Sequence, residues 1–179
     1  MPVFLHNPTV RARTEGVGLL TRDEGLDYGV VGPVARASGI ASDVRSDQPY
    51  LVYDELGFQI VTAREGDVRA RVVVRVLEML ESVRLIEEAL KRMPGGPIRV
   101  PELYLEVPPG EAVVRAEAPR GEVVYYLASD GSDTPARVKI RTPTFVNIPS
   151  VRAMSVGQDL ADMPLIQAAL DPCYSCTDR

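Results

Sequence analysis

Between residues 67 and 93 the apolar positions Val72, Val73, Val76, Leu77, Leu80, Val83, Ile86 and Leu90 recur mostly at three- and four-residue steps. Glu78, Glu81, Glu87, Glu88, Lys91 and Arg92 lie largely between them. That period predicts a long amphipathic helix whose apolar side packs into the core. Its β-branched first half lowers helix propensity, but the run is too long for a strand. Pro94-Gly95-Gly96-Pro97 supplies the stop.

The pattern changes on both sides of this element. Residues 1–65 are punctuated by Gly16, Gly18, Gly25, Gly29, Gly32-Pro33, Gly39 and Pro49, and read as loop-rich. Val30-Val31 and Phe58-Gln59-Ile60-Val61 are candidate short strands within them. Residues 98–141 carry β-rich runs at Leu103–Val107, Ala112–Glu117, Gly121–Leu127 and Ala136–Arg141, with a turn at Ser129–Asp133. A small antiparallel sheet follows. Residues 148–170 read as two helical pieces separated near Gly157, with Val156, Leu160, Met163, Ile166 and Leu170 on one face of the second. Pro172 then ends regular structure and leaves an irregular tail. The expected fold is therefore α+β: one long amphipathic helix, a small antiparallel sheet and a C-terminal helical segment, in one domain spanning 1–179.

Composition narrows the classes. With 179 residues, 45% of them hydrophobic and 25% charged, the chain is long enough to bury a core without cross-links. A net charge of −5 without a dense basic tract argues against a nucleic-acid partner. No apolar run approaches the roughly 20 residues that span a bilayer. Met1–His6 lacks the basic and apolar regions of a secretory signal.

The chain has 2 cysteines, Cys173 and Cys176, in one C-x-x-C near its end. They cannot staple distant segments, so their chemistry is local. Thiolates are soft ligands suited to zinc, nickel and iron–sulfur centres, but a closed four-ligand site needs more than these two and His6. A redox pair is the other chemical reading, although such a pair ordinarily opens a helix after a strand. Spacing alone leaves a redox pair, part of a metal site and incidental cysteines all open.

The longer string Asp171-Pro172-Cys173-Tyr174-Ser175-Cys176-Thr177-Asp178-Arg179 resembles the C-terminal nickel-binding motif of [NiFe]-hydrogenase large subunits. Its arginine ending is similar to that of energy-converting, membrane-bound, formate hydrogenlyase-like enzymes, and looks like a processed terminus or a member made without an extension. An ordered series of blocks extends the resemblance. Arg13–Gly18, Leu26–Pro33, Arg36–Gly39, Asp43–Arg45 through Pro49-Tyr50, Tyr53-Asp54, Gly66–Val72 and Met93–Pro97 are similar to segments shared with the quinone-site core subunit of respiratory complex I, as are Tyr125–Ser132 and Ile140–Phe145. Complex I subunits lack the terminal cysteines, and Glu117-Ala118-Pro119-Arg120-Gly121 resembles the hydrogenase version of its segment, so the hydrogenase reading is preferred.

The resemblance implies an oxidoreductase that cleaves or forms dihydrogen at a Ni-Fe centre, its iron carrying carbonyl and cyanide ligands. Cys173 would be a terminal thiolate on nickel and Cys176 a thiolate bridging nickel and iron. Arg120 would lie over the metal pair beside the iron diatomics. Pro143-Thr144 would give a hydrogen-bond donor to a cyanide. Asp43, Arg45, Tyr50 and Asp54 would belong to a polar network toward membrane subunits, whereas His6 is not expected to be a ligand. The family's first C-x-x-C lies in an N-terminal half that this sequence does not contain, so the chain holds two of four cysteine ligands and is expected to be inactive alone. Implied partners are that N-terminal half or a split counterpart, an iron–sulfur small subunit, membrane ion-pumping subunits and maturation factors. The implied location is cytoplasmic, peripheral to the membrane through the complex. The alternatives are a non-catalytic scaffold or assembly paralogue that docks an iron–sulfur subunit, and a quinone-reducing complex I-like subunit.

Overall fold

The structure is a computed structural model that describes residues 7–99 and 107–178. His6, Arg179 and the expected strand residues 103–106 lie outside the described residues.

The N-terminal region is more regular than its glycines suggest. Among the described residues four short helices occupy it: α1 (Pro8–Thr14), α2 (Arg22–Tyr28), α3 (Gly32–Ala37) and α4 (Val44–Asp47). Each begins on a local signal. The Asn7 side chain accepts from Thr9 and Val10, Thr21 and Glu24 form a capping box, Pro33 stands in the first turn of α3, and Asp43 caps α4. The expected loops are thus largely helical, and neither Val30-Val31 nor Phe58–Val61 forms a strand. The helices are only four to seven residues long, below the length at which apolar periodicity can be read.

The long helix α5 runs Val68–Arg92 and is capped by Asp67, whose side chain accepts from the Ala70 amide at 2.7 Å. The other Asp67 carboxylate oxygen accepts from Gly16 N at 2.8 Å, which ties the start of α5 to the N-terminal region. Arg71, fully buried, donates to the carbonyls of Gly66 (3.0 Å) and Gly18. The expected orientation of α5 needs correction. Its buried apolar residues are Val68, Ala70, Val74 and Leu85, whereas Leu77, Leu80, Val83, Ile86 and Leu90 are exposed.

Strands β1 (Gly110–Ala118), β2 (Gly121–Ser129) and β3 (Arg137–Arg141) form a three-stranded antiparallel sheet in the order β1-β2-β3, with Ala116 opposite Val123 and Tyr125 opposite Ile140. The C-terminal region follows as α6 (Pro143–Asn147), a 3₁₀ turn at Ile148–Ser150, α7 (Val151–Ser155), a second 3₁₀ turn at Leu160–Asp162, α8 (Met163–Leu170) and α9 (Tyr174–Thr177). The break expected near Gly157 is present, with that residue at φ +83°. Of the expected second face, Ile166 and Leu170 are buried, while Val156 and Leu160 are exposed. The tail expected to be irregular contains the single turn α9.

The main core joins both ends of the sequence: Leu20, Val30 and Val34 pack with Val68, Met154, Ile166 and Leu170. Buried Asn147 reinforces the join by accepting from Val31 N at 2.9 Å and donating to Val31 O at 3.1 Å. No described helix is long and apolar enough to cross a membrane.

Candidate metal centre

The tail carrying the cysteines is fixed by its neighbours on both sides. At the end of α8, Asp171 adopts the left-handed conformation (φ +58°, ψ +57°) and its amide closes on Ala168 O. This reverses the chain and sends Pro172-Cys173 back toward α6. There the Cys173 amide donates to Thr144 Oγ1 at 3.2 Å, and Thr142 Oγ1 donates to the carbonyl of Cys176. Thr142, Pro143 and Thr144 are all buried, so these anchors stand on packed structure. Thr144 lies in the first turn of α6, and its hydroxyl also hydrogen-bonds the Cys176 thiol.

Arg120 approaches from the β1–β2 turn. Its Nη2 donates to Asp171 Oδ1 at 2.9 Å and its Nε to Asp171 O at 3.3 Å. Two glycines fix the turn's place. A β-carbon on Gly32 would meet Arg120 O at 2.3 Å, and one on Gly121 would meet Gly32 N at 2.7 Å. The start of α3 and the arginine turn are therefore in direct backbone contact, which only glycine permits. Both glycines also have positive φ, +68° and +127°.

The two thiols differ in electrostatic character. Hydrogen bonds from Ser175 and Cys176, helped by the positive charge of Arg120, bring the Cys173 thiol down to about 7. Its sulfur is 3.0 Å from Ser175 Oγ. Burial and the neighbouring Cys173 push the Cys176 thiol up. One sulfur is thus ready to become a thiolate near neutral pH while the other awaits a positive partner.

These donors suit a soft metal: two thiols, a hydroxyl contacting both cysteines and a nearby guanidinium. Among the described residues no three His, Cys, Asp or Glu side chains converge on one point. Two thiols would fill at most half of a four-coordinate metal site. Beside Cys176 a cleft of about 340 Å³ opens, lined by Val138, Ile140, Thr142 and Phe145.

Of the polar residues expected to form a network, the structure joins three. Asp43 accepts from Arg45 Nη2 at 2.7 Å and lies 3.0 Å from Arg36 Nη1. The Tyr50 hydroxyl accepts from Glu117 N at 3.2 Å. Asp54 is not part of it; it is exposed and accepts from the next amide, Glu55 N. Sequence reasoning missed the centre of the network. Arg36, 1% exposed, pairs with Glu117 at 2.8 Å and Glu78 at 2.6 Å. Burial disfavours its charge, but Glu78 and Glu117 outweigh that and hold the guanidinium proton more tightly. Burial pushes the Glu117 carboxyl up, against the pull of Arg36. A buried arginine cannot be told from a surface one by its letter alone. The signal was its place within Gly32–Ala37, every residue of which is buried.

A cleft of about 450 Å³ links the two regions. Arg36, Glu78 and Glu117 line one part, and Arg75 and Asp171 another. Arg75 Nε lies 3.9 Å from Asp171 Oδ2, and its Nη2 donates to Leu170 O at 3.2 Å.

Comparison with known proteins decides the family. The profile of the respiratory-chain NADH dehydrogenase, 49 Kd subunit, matches residues 1–105 and 102–179. The chain belongs to that family. It corresponds to the C-terminal half of the family's large subunit and spans about half the length of the curated relatives it matches. It is 45% identical to the carbon monoxide-induced hydrogenase of Rhodospirillum rubrum, over 100% of this chain and 49% of that protein. It is 43% identical to a subunit of the F(420)H(2) dehydrogenase of Methanosarcina mazei, over 99% of this chain and 49% of that one. Among solved structures it is similar to a chain of the membrane-bound sulfane sulfur reductase, an archaeal respiratory membrane complex, with TM-score 0.90 and 40% identity over 97% of this chain and 49% of that chain. The α+β fold and the kinship with both hydrogenase and complex I subunits are thereby established.

Proposed function

We propose that this chain is the C-terminal, ligand-bearing part of an energy-converting [NiFe]-hydrogenase large subunit, with Cys173 and Cys176 supplying two of four thiolates to a Ni-Fe centre. The observation that carries the proposal is the placing of both cysteines against Thr144, with Arg120 held beside them by Asp171. The 45% identity to a protein named a hydrogenase supports it.

In this reading Cys173 and Cys176 would hold the Ni-Fe centre through their thiolates. The bound Ni-Fe pair, its iron carrying carbonyl and cyanide, would supply the site for reversible cleavage of dihydrogen. The protein's own groups do the rest. Thr144 orients both cysteines, Pro143 fixes the first turn that presents it, and Arg120 provides a positive donor that Asp171 holds in one rotamer. The buried cluster of Asp43, Arg45 and Tyr50 with Arg36 and Glu117 is the start of a polar path toward membrane ion-pumping subunits.

The N-terminal half of the large subunit or a split counterpart brings the other thiolates. An iron–sulfur small subunit takes the electrons, and maturation factors load the metals. The complex sits on the cytoplasmic face of the membrane.

The test is metal analysis. Co-expressed with the N-terminal half and maturation factors, the chain should carry about one nickel per complex, in line with one Ni-Fe centre per four thiolates, and Cys173→Ser should lose it. A matured complex without nickel overturns the hydrogenase reading. If that complex still holds an iron–sulfur subunit, the scaffold reading replaces it. Quinone reduction unaffected by Cys173→Ser would instead make it a complex I-like subunit.

A further inference from the structure

Cys173 and Cys176 are placed to react with each other as well as to hold a metal. Cys173 stands at the N-cap of α9 in extended conformation (φ −106°, ψ +118°), and Cys176 lies three residues on, within that turn. The Cys176 and Thr177 amides both donate to Cys173 O at 3.1 Å, which closes the turn between the cysteines. Side chains at these two positions of a helical turn reach one another, and the two thiols are hydrogen-bonded. The anchors to Thr142 and Thr144 hold the Cys176 carbonyl and the Cys173 amide. The Cβ–Sγ bonds stay free to turn, so an S–S bond of about 2.05 Å asks only for side-chain rotation. Holding the second thiol beside the first makes ring closure effectively unimolecular. Both side chains are half-buried, so reagents in solution reach the pair.

The approach to the pair carries charge. The cleft of about 340 Å³ beside Cys176 is also lined by Lys139 and Arg141. Glu122 takes up Arg141 at 3.0 Å, while exposed Lys139 adds a second cation. Among the described residues no carboxylate lines this cleft. Its chemistry suits a small anionic molecule.

We propose that, before metal is bound, Cys173 and Cys176 exchange with an anionic small-molecule disulfide of the glutathione type held in this cleft, closing a reversible disulfide that bars nickel. One cysteine thiolate attacks the small disulfide. The S–S bond of the reagent breaks, a mixed disulfide forms and one small thiol leaves. The other cysteine gives its proton to solvent and attacks the mixed bond, which closes Cys173–Cys176 and releases the second small thiol. The cysteine pair is oxidised by two electrons and the reagent is reduced by two. A disulfide has no thiolate to give a soft metal. The exchange stands apart from the hydrogenase reading; its consequence for nickel rests on that reading.

The test starts without metal. The full chain is equilibrated under chelation with oxidised and reduced glutathione, quenched in acid and weighed by mass spectrometry. The expected product is a monomer that has lost the two thiol hydrogens, carries no adduct and is restored by dithiothreitol. Its midpoint should need at least about tenfold less oxidised glutathione in the folded chain than in denaturant. Cys173→Ser and Cys176→Ser should each stop at a glutathione adduct. Lys139→Glu should slow exchange with oxidised glutathione by about threefold or more, and leave exchange with uncharged hydroxyethyl disulfide unchanged. Chain oxidised before assembly with the N-terminal half and maturation factors should take up nickel only after reduction. Thiols that stay reduced, a lasting adduct on the wild-type chain, disulfide-linked dimers or a midpoint unchanged in denaturant overturn the exchange. Equal effects of Lys139→Glu on both reagents overturn the cleft as its place. Equal nickel in oxidised and reduced chains overturns the gate. Nickel absent from both overturns the gate together with the hydrogenase reading, while the mass result still decides the exchange.

Discussion

Two regions of this molecule treat charge and ligand chemistry in opposite ways. Around Arg36 every group is answered within the chain. The guanidinium meets Asp43, Glu78 and Glu117, the second oxygen of Glu117 accepts from Val44 N at 3.2 Å, and Arg45 covers Asp43 while stacking 4.2 Å over the Phe58 ring. Around Cys173 and Cys176 the backbone is anchored, and the sulfurs meet each other, Ser175, Thr144 and the charge of Arg120, with no salt bridge of their own among the described residues. The first region is closed and holds the fold. The second is held by the fold and stays open to what arrives from outside. A chain that is half of its relatives' length is expected to show this division, with cores complete and shared surfaces not.

The comparison breaks hardest at its closed end. Arg36→Met leaves Asp43 and Glu117 buried without their main counter-charge and should cost about 3–5 kcal/mol in urea denaturation. The loss should depend on pH in a definite sense. Burial already raises the Glu117 carboxyl above the unfolded value, so the folded state holds that proton to higher pH than the unfolded chain does. Stability is then lost as pH rises through the folded value and recovered below it. The variant, lacking the pull of Arg36, should show the steeper recovery on acidification. A pH-independent loss would mean that packing, not charge, dominates.

Gly32→Ala tests the contact between the two regions. The new methyl would enter the space of the Arg120 carbonyl, in a conformation that side chains rarely take. A loss of about 2–3 kcal/mol is expected, combining backbone strain with a clash that must be relieved by moving the turn. Because that turn carries Arg120, the matured complex should also lose nickel, whereas a variant as destabilised elsewhere should not.

These two positions show what could and could not be read in advance. The long helix was legible because 25 residues sustain one period, and the three strands because their β-rich runs are separated by glycine turns. The short N-terminal helices were hidden by the same glycines that cap and pack them. Gly29 ends α2 at φ +63°, and Gly32 admits the neighbouring turn. Which face of α5 is buried was misread, since the repeat marks an apolar side of the helix without saying what covers it, and Val83, Ile86 and Leu90 on that side are exposed. At the site, Cys173, Cys176, Arg120, Pro143 and Thr144 stood out by resemblance and do lie near one another. The joining of Arg36 to Glu78 and Glu117 was not legible, because 42 and 81 residues of chain separate Arg36 from these partners and only the fold closes them.

Thr144→Val should act more gently, costing about 1–2 kcal/mol as the Cys173 amide loses its acceptor. Thr144→Ser should restore most of that, because the hydroxyl, not the methyl, holds the tail. Equal losses in both variants would instead make the contact one of packing.

The smallest effect concerns reactivity with no change in stability, and it probes how open the site is. In the metal-free chain, iodoacetamide should alkylate Cys173 with a half-maximal rate near pH 7, while Cys176 titrates above the ordinary thiol value of about 8.5. In denaturant both should return to that ordinary value. Ser175→Ala removes the largest influence holding Cys173 down and should move its midpoint upward. Cys173→Ser removes a thiolate that holds Cys176 up and should lower the Cys176 midpoint, though burial keeps part of the elevation. If both thiols titrated together in the folded chain, the tail would not be anchored against α6. The division between a closed half and an open one would then end at Asp171.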